Sequence, residues 1–171
     1  MLDFNVILTR EQIQNKVKEI ANQIDFDFDG KEIYALVFST KSFIFASDLF
    51  REMKADLHID FSFKLDDINT DSFNFEDILS FSPFGKSILI VENLIYEGNN
   101  IFELKNIIEN CGATEVKTCV FIDSRSLEQK KDDKLKFDYV GFSSHDLKLV
   151  GYGVDIKQRY GNLPFFVESD I

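Results

Sequence analysis

The sequence has almost no proline, few sulfurs, no tryptophan and a shortage of positive charge. Two prolines (Pro83, Pro164) in 171 residues, with no Gly/Ser-rich stretch and no internal repeat, leave no linker at which to divide the chain, which predicts a single domain over residues 1–171. Two cysteines, Cys111 and Cys119, are too few for a disulfide framework or an all-protein four-ligand zinc site. No apolar run approaches the roughly 18 residues that a membrane helix needs. Acidic Asp3 and the lack of a basic-then-apolar leader argue against a secretory signal, and a reducing cytoplasm is the expected compartment. With 19 Lys+Arg against 30 Asp+Glu the net charge is −11. Such a surface opposes broad contact with a phosphate backbone, so neither nucleic acid nor membrane is expected as a partner. It does not exclude one small anion site built from backbone N–H groups.

What is present is ordinary globular material with one bias. Hydrophobic residues make up 44% and charged residues 29% of the chain, and 19 of the residues are Phe. Phe at this level is read as core. Thr9-Arg10-Glu11-Gln12 is a capping box, and Ile13, Val17, Ile20, Ala21 and Ile24 follow at helical spacing, predicting a helix from Arg10 to Gln23. Ile33–Phe38 is a short apolar run rich in strand formers, Ile88–Val91 is the continuous apolar run of a strand covered on both faces, and Val116–Ile122 and Tyr139–Phe142 read as further strands. Ile59, Phe61 and Phe63 alternate like a half-buried strand. Between the strands, Phe43–Met53 and Ile101–Ile108 show helical apolar faces, the second closed by Gly112. Leu65–Ser80 and Ser124–Lys136 are expected as mobile loops, the first acidic and with no basic residue at all. Alternation of strands and helices predicts an α/β fold with a mainly parallel sheet, whose ligands sit beyond the carboxyl ends of the strands. The turns after Phe38, Val91, Ile122 and Phe142 are therefore the places to search.

The turn after Val91 reads Glu92-Asn93-Leu94-Ile95-Tyr96-Glu97-Gly98-Asn99-Asn100, an acid-ended strand, a glycine-bearing loop and a helix start, which is a phosphate-cradle layout. Together with Phe137–Phe142, Val150–Asp155 and Asn162-Leu163-Pro164, it makes the chain resemble the bacterial hypoxanthine-guanine phosphoribosyltransferases from Ile7 to Phe166. The resemblance implies a parallel sheet flanked by helices with a small hood, and transfer of a phosphoribosyl group from its magnesium pyrophosphate complex onto a purine. That chemistry needs cations for the leaving pyrophosphate, a carboxylate for the purine N7 proton and a cradle for the 5′-phosphate.

The family motif runs acid, acid, two apolar residues, Asp, Ser/Thr, Gly, any residue, Ser/Thr. Glu92 and Gly98 keep their places, whereas the second acid is Asn93, the proton acceptor is Tyr96, and the hydroxyl positions are Glu97 and Asn100. The pyrophosphate loop, Leu-Lys-Gly in the family, reads Ser39-Thr40-Lys41. The loop that carries Ser-Tyr in the family is Leu65-Asp66-Asp67 with further acids, and the late Arg is replaced by Gly161, with Arg159 nearby. By resemblance Gly98, Asn99, Asn100 and Lys41 are the phosphate-binding candidates. Tyr139, Val140 and Ser124 are the purine-binding candidates, Tyr139 being equally readable as a sheet-core aromatic. Glu92 and Asp146 are the metal candidates, for magnesium if the protein is active. Glu97 is the one carboxylate beside the expected base position. His145, Asp138 and Asp155 read as solvated or as turn and strand terminators.

These substitutions point to a family member that is silent or very weak and keeps a purine or nucleotide pocket. Two alternatives stand beside it. One is an active purine salvage enzyme with Glu97 or Glu92 as base, and the other is a homo- or hetero-oligomeric assembly partner. A homo-oligomer is the default expectation for the family.

Overall fold

The computed structural model describes residues 5–61, 79–131, 136–144 and 148–169. Helix α1 (Arg10–Phe28) starts where the capping box places it: Thr9 Oγ1 accepts from Gln12 N, and Gln12 Oε1 accepts from Thr9 N at 2.8 Å. It runs a full turn past the predicted end because Phe28 is fully buried and extends the apolar stripe. Five parallel strands form the main sheet in the order β3 (Leu57–Phe61), β2 (Ile33–Val37), β4 (Ser87–Ile95), β5 (Glu115–Asp123) and β6 (Tyr139–Ser143). Helices α2 (Phe43–Glu52) and α3 (Asn99–Asn110) are the crossovers.

The sheet has a core on each face, as period-two side chains require. Val37, Leu89, Val91, Cys119 and Phe121 pack with α1 and α2, while Leu36, Ile88, Ile90 and Val120 pack with α3. Much of the Phe excess lies in the first core: Phe121 has Phe45 at 4.7 Å between ring centroids, Phe142 at 5.5 Å edge-on, and Phe166 at 6.3 Å. Phe26, Phe43 and Phe84 are exposed instead.

A second, three-stranded antiparallel sheet joins both ends of the chain: β1 (Val6–Leu8), β8 (Phe166–Glu168) and β7 (Leu149–Val150). Its strands are two or three residues long, below the length at which alternation is visible in sequence. The predicted loop Ser124–Lys136 contains a short helix, α4 (Leu127–Lys130), with its own capping box between Ser126 and Gln129. Phe63 and the acidic residues of the Leu65–Ser80 stretch up to Ile78 lie outside the described residues.

Candidate functional site

The carboxyl ends of β4 and β5, the loop after β2 and the turn at 151–156 surround a cavity of 630 Å³. Lys41, Tyr96, Glu97, Ser124, Lys148 and Asp155 line it, together with the apolar Leu149, Val154 and Ile156. A smaller cavity of 180 Å³ adjoins the start of α3, lined by Glu97, Gly98, Asn99 and Asn100. Gly98 holds φ at 86° as the N-cap of α3. The positive φ favours glycine, and a Cβ there would lie 3.3–3.4 Å from the side chains of Ile95, Phe137 and Arg125.

Glu92 is buried, and its carboxylate is engaged from several sides. Oε1 accepts from Ser39 Oγ at 2.9 Å, from Asn93 N at 2.8 Å and from the Ser42 hydroxyl, and Leu94 N–H adds a further bond. Burial pushes its pKa up, against the pull of these donors. In this setting Glu92 fastens the loop after β2 to β4. The side-chain bonds converge on Oε1, and Glu92 also lines the smaller cavity. The other metal candidate, Asp146, lies outside the described residues, as does His145. Among the described residues no three His, Cys, Asp or Glu side chains converge as a metal site.

Tyr96 occupies the position of the expected proton acceptor. Its phenol is half-exposed and accepts a hydrogen bond from the backbone N–H of Leu149, yet desolvation pushes its pKa above the ordinary phenol value. It remains protonated at neutral pH and presents an O–H donor.

The three purine-binding candidates do not come together. Ser124 faces the larger cavity, with a buried Oγ that has no partner among the described residues. Tyr139 is turned the other way: its hydroxyl donates to Asp27 Oδ2 on α1 at 2.8 Å, and Lys117 Nζ lies 5.6 Å from its ring centroid. Burial and the Asp27 carboxylate both push its pKa up. Val140, partly exposed on the edge strand, does not line the cavity. The physical reason is register. Tyr139 pairs with Cys119 in the body of β5, and the strand ends are reached only at Asp123 and Ser143.

Sequence reasoning missed Lys148, Leu149, Val154 and Ile156, and read Asp155 as a terminator. The signal available was the glycine spacing in Val150–Asp155. Gly151 and Gly153 have φ of 113° and 99°, and a Cβ on them would lie 2.0 Å from Phe165 O and 2.3 Å from Lys41 O. Arg159 stacks beside Tyr160, its guanidinium 5.7 Å from the ring centroid, and does not line the cavity.

Behind the cavity lies a buried polar layer. Arg125 makes a two-pronged pair with Asp123, Nε to Oδ1 and Nη2 to Oδ2 both at 2.9 Å, and its guanidinium lies 4.2 Å from the Phe137 ring centroid. Lys130 Nζ binds the carbonyls of Asp123 and Ser144 at 2.8 and 3.0 Å and Ser143 Oγ at 2.7 Å, and burial lowers its pKa. These contacts seal the ends of β5 and β6.

The family profile of the phosphoribosyl transferase domain matches residues 6–157. The hypoxanthine-guanine phosphoribosyltransferase of Staphylococcus aureus strain Mu50 is 29% identical over 164 residues, covering 94% of this chain and 90% of its own. The hypoxanthine phosphoribosyltransferase of Buchnera aphidicola is 27% identical over 166 residues, covering 94% and 92%. A crystal structure of a hypoxanthine-guanine phosphoribosyltransferase from Bacillus anthracis, with a HEPES molecule in its active site, is 36% identical and has a TM-score of 0.83. It covers 96% of this chain, and 95% of its own length is matched. The five-stranded parallel order, the α3 cradle and these matches agree: the chain belongs to the purine (hypoxanthine-guanine) phosphoribosyltransferase family.

Proposed function

We propose that this protein binds a purine nucleotide in the 630 Å³ cavity and transfers the phosphoribosyl group very slowly or not at all. Tyr96 carries the proposal. By resemblance, position 96 faces the purine N7. A free base entering the reaction must give up a proton as the ribosyl bond forms, and a carboxylate would take or share it. The Tyr96 phenol is already protonated, with its oxygen accepting from Leu149 N–H. It has a hydrogen to give. The N7 of a finished nucleotide is a bare lone pair and suits that donor, so the site is complementary to the product more than to the substrate.

Other features support the same direction. Lys41 and Lys148 share the cavity with Glu97 and Asp155, so the walls carry no excess of positive charge for a departing pyrophosphate. Glu92 is occupied by the loop after β2. Gly98, Asn99 and Asn100 open α3 and offer backbone N–H groups to a 5′-phosphate. Magnesium would enter with the pyrophosphate donor in any residual turnover.

The test pairs two measurements. Calorimetric titration with inosine and guanosine monophosphates is expected to show binding at least about tenfold tighter than with hypoxanthine or guanine, the factor of one well-placed hydrogen bond. Steady-state transfer from magnesium phosphoribosyl pyrophosphate is expected at least about 10²-fold below an authentic family enzyme, the usual cost of losing an acid–base group. Turnover within that factor would overturn the proposal. It would also direct attention to Glu97, which shares the cavity with Tyr96 and would then be tested as Glu97→Gln.

A further inference from the structure

Asn93 stands where the family has the second acid of its motif, and its side chain does not face a ligand. It is fully buried. Its Nδ2 donates to Lys41 O at 3.2 Å and to Tyr152 O at 2.6 Å, while its backbone N–H donates to Ser42 Oγ at 2.8 Å. Both side-chain partners are carbonyls, so the amide nitrogen, not the oxygen, must point at them. Among the described residues Asn93 Oδ1 is buried with no partner, so the contact is made by the donor end alone.

We propose that Asn93 is a positioning residue that clamps the loop after β2 to the turn at 151–154. The two segments it joins meet at the 630 Å³ cavity and both line it, one through Lys41 and the other through Val154 and Asp155. Their approach is close: a Cβ on Gly153 would sit 2.3 Å from Lys41 O and 3.2 Å from Asn93 Nδ2. A carboxylate at 93 has no hydrogen to give either carbonyl, and would set its own lone pairs against theirs in a site without water access. The acid-to-amide change is therefore a gain of a clamp as well as a loss of a charge. Returning the acid would open the cavity walls rather than restore an active site. This inference stands on the hydrogen bonds alone and does not depend on what the cavity binds.

Hydrogen–deuterium exchange on the full chain tests it, comparing the parent with Asn93→Ala and Asn93→Asp. Peptides covering 39–43 and 151–155 report the two walls, and amides of β5 report global opening. Both walls are expected to exchange about tenfold faster or more in each variant, beyond any change in β5, with Asn93→Asp at least as affected as Asn93→Ala. Gly153→Ala separates the same walls sterically and is expected to give the same paired acceleration, which keeps the test readable if the Asn93 variants do not fold. Acceleration of only one wall, of neither, or by no more than β5 would overturn the clamp. So would parent-like protection in Asn93→Asp.

Discussion

Arg125→Met isolates the buried ion pair behind the cavity. Arg125 and Asp123 are 3% and 5% exposed, and the guanidinium satisfies both carboxylate oxygens at 2.9 Å. Methionine keeps most of the side-chain volume against Phe137 and Phe102, so the packing loss is small. What remains is a carboxylate without its partner in a site that excludes water. Breaking such a pair from one side costs about 3–5 kcal/mol. Loss of the guanidinium–ring contact with Phe137 adds about 2 kcal/mol at a desolvated site, part of which the methionine sulfur against the rings regains. Lys130, with Nζ 4.0 Å from Asp123 Oδ1, offsets part of this by turning toward the orphaned carboxylate. A net loss of about 3–4 kcal/mol is expected, or a melting point roughly 6–16 °C lower at about 2–4 °C per kcal/mol for a chain of this size. Urea unfolding at neutral pH measures the free energy and calorimetry the melting point. The decisive comparison is Asp123→Asn/Arg125→Met, in which no carboxylate is stranded, Lys130 keeps its carbonyl partners, and about half or more of the loss is expected to return. A single-variant loss under about 1 kcal/mol, or a double variant no better than the single one, would refute the reasoning.

Glu92→Gln tests the buried carboxylate by pH. Burial holds the folded pKa above its unfolded value, so the native state takes up a proton more readily, and stability is greatest below the ordinary carboxylate range and falls as pH rises through the folded pKa. The melting point of Glu92→Gln minus that of the parent is therefore expected to grow from about pH 4 toward neutrality, and a flat difference would contradict the assignment. Tyr139→Phe is expected to cost about 1 kcal/mol through the lost bond to Asp27 and to leave nucleotide affinity within about threefold of the parent, measured by unfolding and calorimetry. Tyr96→Asp is expected to raise phosphoribosyl transfer about 10²-fold, with no rise showing that the missing proton acceptor is not what limits turnover.

The fold was legible where the chain repeats a pattern. The capping box at Thr9, the apolar runs of β2, β4 and β5, and the helical faces of α2 and α3 each carry several agreeing residues. β1, β7 and β8 were not legible, because two or three residues give no period to read, and β1 finds its partner β8 only at the far end of the sequence, Val6 opposite Val167. The site was legible only in its first half. The turn after β4 announced itself through Gly98 and its neighbours, but the opposite wall was hidden. Tyr139 and Val140 looked like the aromatic and its neighbour in a purine pocket, whereas strand register puts Tyr139 over α1 and leaves Leu149, beyond β6, to meet Tyr96. Lys148 and Asp155 carry no local signal of their place on the cavity lining, since a charged residue in a turn is by default solvated. Asn93 was readable as a lost acid, but its donor role depends on two carbonyls from distant segments.

The strand order has a consequence for the chain while it is being made. All five residues of β2 are buried in the finished sheet, between β3 on one side and β4 on the other. β3 follows soon after, but Ile33 meets its β4 partner Ser87 only after more than fifty further residues have been added. At about 5–20 residues per second, one hydrogen-bonding edge of an apolar ribbon stays bare for roughly 3–10 s on the ribosome. Whatever shields that edge during synthesis governs the yield of protein, and variants that slow β4 would be lost to aggregation before their effect on the folded molecule could be felt.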